Sequence, residues 1–150
     1  RWREEDSQAV ERALKATNIE DLADQPVDTL SGGQRQRAWI AMVLAQETSI
    51  LLLDEPTTWL DISHQIDLLE LLRDLNQKQG YTLAAVLHDL NQACRYATHL
   101  IALRDGKIVA EGAPTEIVTP ELIEAIYGLR CMIIEDPVAH TPLVVPLGRG

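Results

Sequence analysis

The stretches Leu30-Ser31-Gly32-Gly33-Gln34 and Ile50-Leu51-Leu52-Leu53-Asp54-Glu55-Pro56 decide the fold of this chain. The second stretch predicts a buried parallel strand, because its aliphatic residues follow one another without polar alternation. Ligands of an open α/β sheet bind beyond the carboxyl ends of its strands. Asp54 and Glu55 lie at this end of the predicted strand. The first stretch predicts a helix start, because Ser31 is a favoured N-cap. The two stretches together indicate an α/β protein with a site at the strand end.

The glycine-containing stretch also predicts an anion site at the beginning of a helix over residues 32–46. Glycines let a ligand approach the backbone, and a helix N-terminus presents unpaired N–H groups. Arg35 and Arg37 lie in the first turns, where acids are the rule, and a nearby phosphate would explain them. Taken alone, the two stretches also fit an ordinary loop and a core strand entering a turn. Taken together, they indicate phosphate chemistry assisted by a metal ion.

Composition narrows the class of protein. The chain has 150 residues, a net charge of −10, 46% hydrophobic and 24% charged residues, which is typical of a globular domain. This negative charge argues against nucleic acid as the main partner. Cys94 and Cys131 are far apart in sequence and lack metal-ligand spacing, so we expect buried free thiols. No apolar run is long enough to span a bilayer, and we expect a soluble, cytoplasmic protein.

The spacing of LSGGQ and ILLLDEP, at residues 30–34 and 50–56, resembles the ATP-binding-cassette (ABC) ATPases. In that family LSGGQ is the signature, hereafter the signature segment, and ILLLDE is the Walker B motif. Three longer runs resemble the ATPases of bacterial importers for ferric siderophores. The next most similar groups are the importers of cobalamin and haem. These runs are RQRAWIAMVLAQ, LLLDEPTTWLDISHQIDLLELL and LAAVLHDLNQACRYA.

The resemblance implies an α/β fold of the P-loop NTPase type. The core would be an incomplete parallel sheet, with its N-terminal strands missing, joined to part of a helical subdomain. No G-x-x-x-x-G-K-[ST] phosphate loop occurs: the one Gly-Lys pair, Gly106-Lys107, is followed by Ile108. We therefore expect the C-terminal part of a longer ATPase. Residues 1–48 would end the helical subdomain and include the signature helix, and residues 49–150 would form the C-terminal part of the core.

The resemblance also implies the roles of the site residues. Glu55 would be the general base and His88 the switch residue that senses the γ-phosphate of ATP. Asp54 would hold Mg²⁺, through water, because Mg²⁺ keeps several waters and takes few carboxylates. The remaining positions would bind nucleotide, four of them in the signature segment and one in the D-loop, and they are Ser31, Gly32, Gly33, Gln34 and Asp61. Trp59 departs from the small residue of many relatives, which leaves details of the D-loop open.

The family context implies the partners and the location. They are a second ATPase subunit in a homodimer, a membrane permease and, indirectly, a periplasmic binding protein, without nucleic acid. The protein would be peripheral, on the cytoplasmic face of the inner membrane, and would couple ATP hydrolysis to import of ferric siderophores. Two alternatives stay open: a non-transport ATPase of the same superfamily, in DNA repair or translation, and a catalytically inert interaction fragment.

The rest of the chain predicts ordinary elements. We expect a helix over residues 7–16 and another over Ile62–Gln79 that Gly80 ends, with His64 at its start as a surface residue. An apolar run at residues 81–87 predicts a second buried parallel strand, which leads to His88 and to Asp89 as a helix cap. Further predicted elements are a hairpin around Asp105-Gly106, a helix beginning at Thr119-Pro120-Glu121, and strands at residues 131–135 and 142–145.

Overall fold

The computed structural model describes residues 3–148 and contains six α-helices and six short strands in that range. The helices are α1 (Glu4–Ala16), α2 (Gly32–Leu44), α3 (Ile62–Gln79), α4 (Leu90–Tyr96), α5 (Pro114–Ile117) and α6 (Pro120–Tyr127). The strands are β1 (Ile50–Asp54), β2 (Thr82–Val86), β3 (Leu100–Arg104), β4 (Lys107–Gly112), β5 (Cys131–Glu135) and β6 (Pro142–Pro146). Two short 3-10 helices, Glu20–Leu22 and Val27–Thr29, connect α1 to α2. The described chain divides into two compact units, the first ending at Val86 and the second beginning at Leu87.

Four helices of the described chain begin at capping residues, and the sequence predicts three of these residues, Ser31, Asp89 and Thr119. The side chains of Ser31, Asp61, Asp89 and Thr119 each accept a hydrogen bond from a backbone N–H in the first turn of the helix that follows. Gly80 ends α3 in the left-handed conformation, with φ of 75°, which a residue without Cβ adopts at little cost. The predicted bounds of α3 are therefore confirmed, whereas α2 ends two residues before the predicted position.

The first unit is built on a parallel pair of strands. β1 and β2 pair in register from Ile50 with Thr82 to Asp54 with Val86. Helices α1, α2 and α3 supply most of its apolar core, in which Leu51 and Leu75 are almost completely buried. This arrangement places the ends of both strands at one edge of the pair. The predicted parallel pairing is confirmed.

The prediction that both strands are buried on both faces is wrong for the described chain. Leu51 is 1% exposed, but Ile50 is 59% and Leu52 is 78% exposed. Successive side chains of a strand point to opposite faces, and in this unit the apolar core contains side chains from one face only. Val86 of β2 is also exposed. Full burial of this apolar face requires a covering surface that residues 3–148 do not supply.

The second unit consists of two antiparallel hairpins and short helices. β3 pairs with β4 and β5 pairs with β6. The predicted turn at Asp105-Gly106 is confirmed, and both residues have positive φ, as two-residue hairpin turns of the primed type require. Cys94 and Cys131 are buried in the same apolar cluster as free thiols, and burial raises the pKa of the Cys94 thiol to about 11. These thiols are therefore protonated and inert near neutral pH.

An ion pair holds the β5–β6 connection to α4. The Asp136 side chain is 4% exposed, and one of its oxygens accepts hydrogen bonds from Arg95 Nε and Nη2 at 2.9 and 2.5 Å. Its other oxygen accepts the backbone N–H groups of Val138 and Ala139 at 2.9 and 3.2 Å. These backbone donors, with the Arg95 guanidinium, hold the pKa of the Asp136 carboxyl below its ordinary value.

We expect Asp136→Asn to lower the melting temperature at neutral pH and to weaken the loss of stability on acidification. A carboxyl with a lowered folded-state pKa stabilises the fold above its unfolded-state pKa of roughly 4, and this contribution disappears as pH falls through the folded-state value. Thermal melts between neutral and strongly acidic pH measure both effects. Asp105→Asn is the matched control, since Asp105 is exposed and asparagine tolerates its left-handed conformation. Equal acid sensitivity of Asp136→Asn and the unchanged protein would contradict this account.

Within residues 3–148, no helix combines the length and the apolar character that a bilayer span needs.

Candidate functional site

The signature segment forms the N-terminus of α2, as the sequence predicts. The Ser31 hydroxyl accepts the Gln34 N–H at 3.2 Å, and the Gln34 side-chain oxygen accepts the Ser31 N–H at 3.0 Å. This capping box satisfies two of the polar groups at the helix end. The N–H groups of Gly32 and Gly33 belong to the first turn, where a helix offers no acceptor of its own. No acidic residue lies in this turn, so the helix end is suited to an anion.

The arginines of α2 serve the fold of this chain rather than a free anion site. Arg35 Nη2 donates to the carbonyls of Asp28 and Leu30 at 3.4 and 3.3 Å. Arg37 Nη1 donates to the carbonyl of Thr17 at 2.9 Å. Both guanidinium groups thus tie the preceding connection to the signature helix. Their position in the first turns has a structural reason that does not need phosphate.

The predicted base and metal residue follow the carboxyl end of β1. Asp54 is the last residue of the strand and is exposed. Glu55 begins the next turn with φ of 48°, a left-handed conformation that costs a non-glycine residue of order 1 kcal/mol or more. The turn is closed by Thr58, whose N–H donates to the Glu55 carbonyl at 3.1 Å and whose hydroxyl donates to the Glu55 carboxylate at 3.3 Å. The turn therefore holds the Glu55 carboxylate in a defined place at the strand end.

Asp61, which with Leu60 matches the D-loop in the resemblance, lies at the N-terminus of α3. Its Oδ1 atom accepts the His64 N–H at 3.0 Å and lies 2.7 Å from His64 Nδ1, and the Ser63 hydroxyl donates to it at 3.3 Å. The backbone and side-chain hydrogen bonds with His64 lower the pKa of the Asp61 carboxyl. Asp61 is therefore an ionised helix cap that also fixes the imidazole of His64.

The sequence did not assign His64 to the site, yet the structure places its ring against the signature segment. A methyl group on Gly33 would lie 3.1 Å from His64 Nε2, 3.2 Å from Cγ and closer still to Cδ2. Both residues line a pocket of about 270 Å³ between the N-terminal parts of α2 and α3. The His64 side chain is 43% exposed, so it is a surface residue as predicted, and the contact with Gly33 is what the prediction lacked. One local signal was available, since a histidine three residues after an N-cap aspartate can bond to it.

His88 belongs to the second unit, where it is exposed, and it follows Val86 by two residues in the sequence. Asp89, next to it, caps α4 through the N–H of Gln92 at 2.9 Å. Residues 3–148 contain no group of three or more His, Cys, Asp or Glu side chains able to hold a metal by themselves. An exposed carboxylate at a strand end instead fits Mg²⁺, which binds one or two carboxylates together with water and substrate phosphates.

Known proteins share this arrangement of motifs. The ABC transporter family matches residues 2–58. The ferric enterobactin transport ATP-binding protein FepC of Escherichia coli K12 is 83% identical over 149 residues, which cover 99% of this chain and 55% of FepC. The chain therefore spans about half the length of this relative.

Solved structures give the same result for the fold. An inward-facing metal-chelate type ABC transporter superimposes with a TM-score of 0.87 at 33% identity, over 99% of this chain and 60% of that one. The ATP-binding cassette MJ0796, solved as a dimer in a post-hydrolysis state with ADP and phosphate, has a TM-score of 0.57 at 36% identity, over 71% of this chain and 46% of that one. The sequence motifs, the capped signature helix and these similarities agree, and the chain belongs to the ABC transporter ATP-binding family.

Proposed function

We propose that this chain is part of an ATP-hydrolysing subunit of an ABC importer for ferric siderophores. The observation that carries the proposal is the 83% identity to a ferric enterobactin transport ATP-binding protein, over an alignment that covers 99% of this chain. The geometry agrees with it, since a carboxylate pair ends β1 and an acid-free helix N-terminus begins α2. Assignment of residues 1–48 to the helical subdomain and of 49–150 to the core stays a prediction.

The signature segment binds phosphate oxygens of ATP in this proposal. The N–H groups of Gly32 and Gly33 and the positive end of α2 attract negative charge. Ser31 and Gln34 hold this helix end in shape through the capping box, and the Ser31 hydroxyl keeps its proton available for a phosphate oxygen. Fixed donors of this kind act at full strength because they do not reorganise when charge develops on the phosphate.

Glu55 and His88 act on the attacking water. The Glu55 carboxylate accepts a proton from that water and orients it, which is worth roughly 10²- to 10⁴-fold in rate for a general base. His88 donates a hydrogen bond from a ring N–H to an oxygen of the γ-phosphate, which accepts it. Asp54 would hold Mg²⁺ through water. When bound, that ion neutralises charge on the β- and γ-phosphates.

Partners follow from the family and belong to the proposal. The protein forms a homodimer in which Asp61 lies at the contact between subunits, as the dimeric state of the similar cassette MJ0796 supports. The dimer attaches to a membrane permease at the cytoplasmic face of the inner membrane, and a periplasmic binding protein delivers the ferric siderophore to that permease. No nucleic acid takes part.

A chimaera tests the proposal directly. The segment of FepC that matches this chain is replaced by the 149 matching residues of this chain, and uptake of radioactive ferric enterobactin is measured in cells that lack FepC. We expect uptake to be restored, because the exchanged segment keeps the signature segment, Asp54, Glu55 and His88. The same chimaera with Glu55→Gln is the control and should give no uptake. A chimaera that is made at normal levels, binds the permease and hydrolyses ATP, but supports no uptake, would reject the importer function.

A further inference from the structure

We propose that His64 is a positioning residue for the signature segment: Asp61 fixes its imidazole ring, and the ring sets the position of Gly33 at the N-terminus of α2. This inference rests on the proposed function, since positioning matters only if the signature segment binds nucleotide. It assigns a role to a residue to which the sequence analysis gave none. It also gives Asp61 a second task within its own subunit.

The contact between the two helices is close and specific. Gly33 is the residue of α2 that faces the ring, and any Cβ there would overlap His64 Cδ2. Gly32, its neighbour, has no atom within 4 Å of the place where a Cβ would lie. The two glycines thus have different reasons to lack a side chain. Gly33 leaves room for His64, whereas Gly32 keeps an open surface toward solvent or ligand.

The ring cannot move aside freely. His64 Nδ1 lies 2.7 Å from Asp61 Oδ1, the same oxygen that accepts the His64 backbone N–H. Because this oxygen caps α3, its position is fixed by the helix itself. Rotating the imidazole away from Gly33 would break its bond to an ionised carboxylate. The ring therefore acts as a spacer between the start of α3 and the start of α2, and its hydrogen bond to Asp61 opposes a shift away from Gly33.

The spacer borders the surface that would meet the nucleotide. The pocket beside the His64 ring is lined by residues of the signature segment and by Leu60, which precedes Asp61 in the D-loop. Other charged groups on this pocket are Arg37 of α2 and Asp67 of α3. Since Arg37 is engaged with the Thr17 carbonyl, Asp61 is the group that orients the ring. A shift of the D-loop would pass through Asp61 and His64 to Gly33.

Small displacements of this kind have large effects on reaction rates. A misplacement of about 1 Å in a binding group can cost as much as 10²-fold in rate. We expect His64→Ala in the full-length protein to lower the maximal ATPase rate by roughly tenfold, within that range, with little change in ATP affinity of the open subunit. The maximal rate should change without the affinity because, in the proposed homodimer, the signature segment would contact ATP only after two subunits have come together around it.

The test is a double-mutant cycle in the full-length protein. Gly33→Ala, Gly32→Ala and His64→Ala are made singly, and each glycine variant is then combined with His64→Ala. We expect the double variant Gly33→Ala with His64→Ala to have a higher melting temperature and a higher ATPase rate than Gly33→Ala alone. The reason is that removal of the imidazole ring makes space for the added methyl group. For Gly32→Ala, addition of His64→Ala should raise neither the melting temperature nor the ATPase rate. If His64→Ala raises the melting temperature and ATPase rate of both glycine variants equally, or of neither, the proposal is overturned.

A measurement without catalysis separates this proposal from the proposed function. Amide hydrogen exchange at residues 32–36 reports the order of the first turn of α2. We expect His64→Ala to speed exchange there and to leave α4 unchanged as an internal reference. Unchanged exchange in the first turn of α2 would overturn the proposal even if the protein were an active ATPase. Faster exchange in a protein that hydrolyses no ATP would instead refute the proposed function and leave the contact established.

Discussion

Glu55→Gln in the full-length protein is expected to reduce ATP turnover by about 10²-fold or more while ATP binding is retained. Glutamine keeps the Cβ, the length and the shape of the side chain, so the left-handed turn at this position and its bond to Thr58 persist. What is lost is the ability to accept a proton from the attacking water. Steady-state release of phosphate measures turnover, and equilibrium dialysis with ATP and Mg²⁺ measures binding.

The chain offers a matched control for this substitution. Glu47 is also a glutamate with positive φ, at 54°, and it pairs with Arg12 at 2.5 Å, on the exposed surface. Glu47→Gln therefore removes the same charge from the same backbone conformation without touching the strand end. We expect its turnover to equal that of the unchanged protein. If turnover of Glu55→Gln stayed within about threefold of that level, the general-base role would be lost, since such a base contributes at least ~10²-fold.

The second large effect is expected from mixed dimers, because we propose that each signature segment acts on the nucleotide of the other subunit. The pocket beside the signature segment is lined by residues of α2, α3 and the D-loop, and neither Asp54 nor Glu55 borders it. The signature segment and β1 are also joined through the whole of α2, a helix roughly 20 Å long. One nucleotide between two facing subunits can meet a signature segment and a strand end at once.

The experiment combines full-length subunits that carry Ser31→Arg with subunits that carry Glu55→Gln, each with a different affinity tag, and purifies the mixed dimer. If the signature segment acts in trans, one composite site carries both lesions and the other carries none. ATPase activity should then appear that neither mutant homodimer shows. If each subunit used its own signature segment, every site would carry one lesion and no activity would return.

The reciprocal mixture provides the control. A subunit with both Ser31→Arg and Glu55→Gln is paired with an unchanged subunit. In trans action each site now receives one lesion, so the mixed dimer should be inactive, whereas action within one subunit would leave one site intact. Activity in this second mixture, together with none in the first, would refute the trans assignment. Loss of activity in both mixtures would show instead that the two sites must act together.

Much of the local structure could be predicted from the sequence because its causes lie within a few residues. The α3 bounds follow from the Asp61 cap and from Gly80, and the β3–β4 turn follows from Asp105-Gly106. The capping box between Ser31 and Gln34 spans three residues. In each case the residue that prefers the backbone conformation and the groups that form its hydrogen bonds are neighbours in the sequence.

The candidate site was predictable in its residue types but not in its contacts. The order of the motifs indicated the helix N-terminus and the strand end that carry Ser31 and Glu55. It did not indicate that Glu55 takes a left-handed conformation, because that depends on the closure of the turn by Thr58. It also gave no reason to connect Gly33 with His64, since those residues are separated by a helix and a strand and meet only after both have packed.

By itself the sequence determined the helices, the turns and the chemistry that lies at their ends, because these depend on neighbouring residues. Tertiary structure alone decided which apolar residues are buried. The aliphatic run of β1 predicted burial on both faces, yet Leu51 is covered by the packed helices and Leu52 is exposed. Tertiary structure also made His64, which keeps a partly exposed side chain, the neighbour of the signature segment. The physical reason is the same in both cases, since burial and close contact depend on which distant element lies opposite, and no local pattern encodes that.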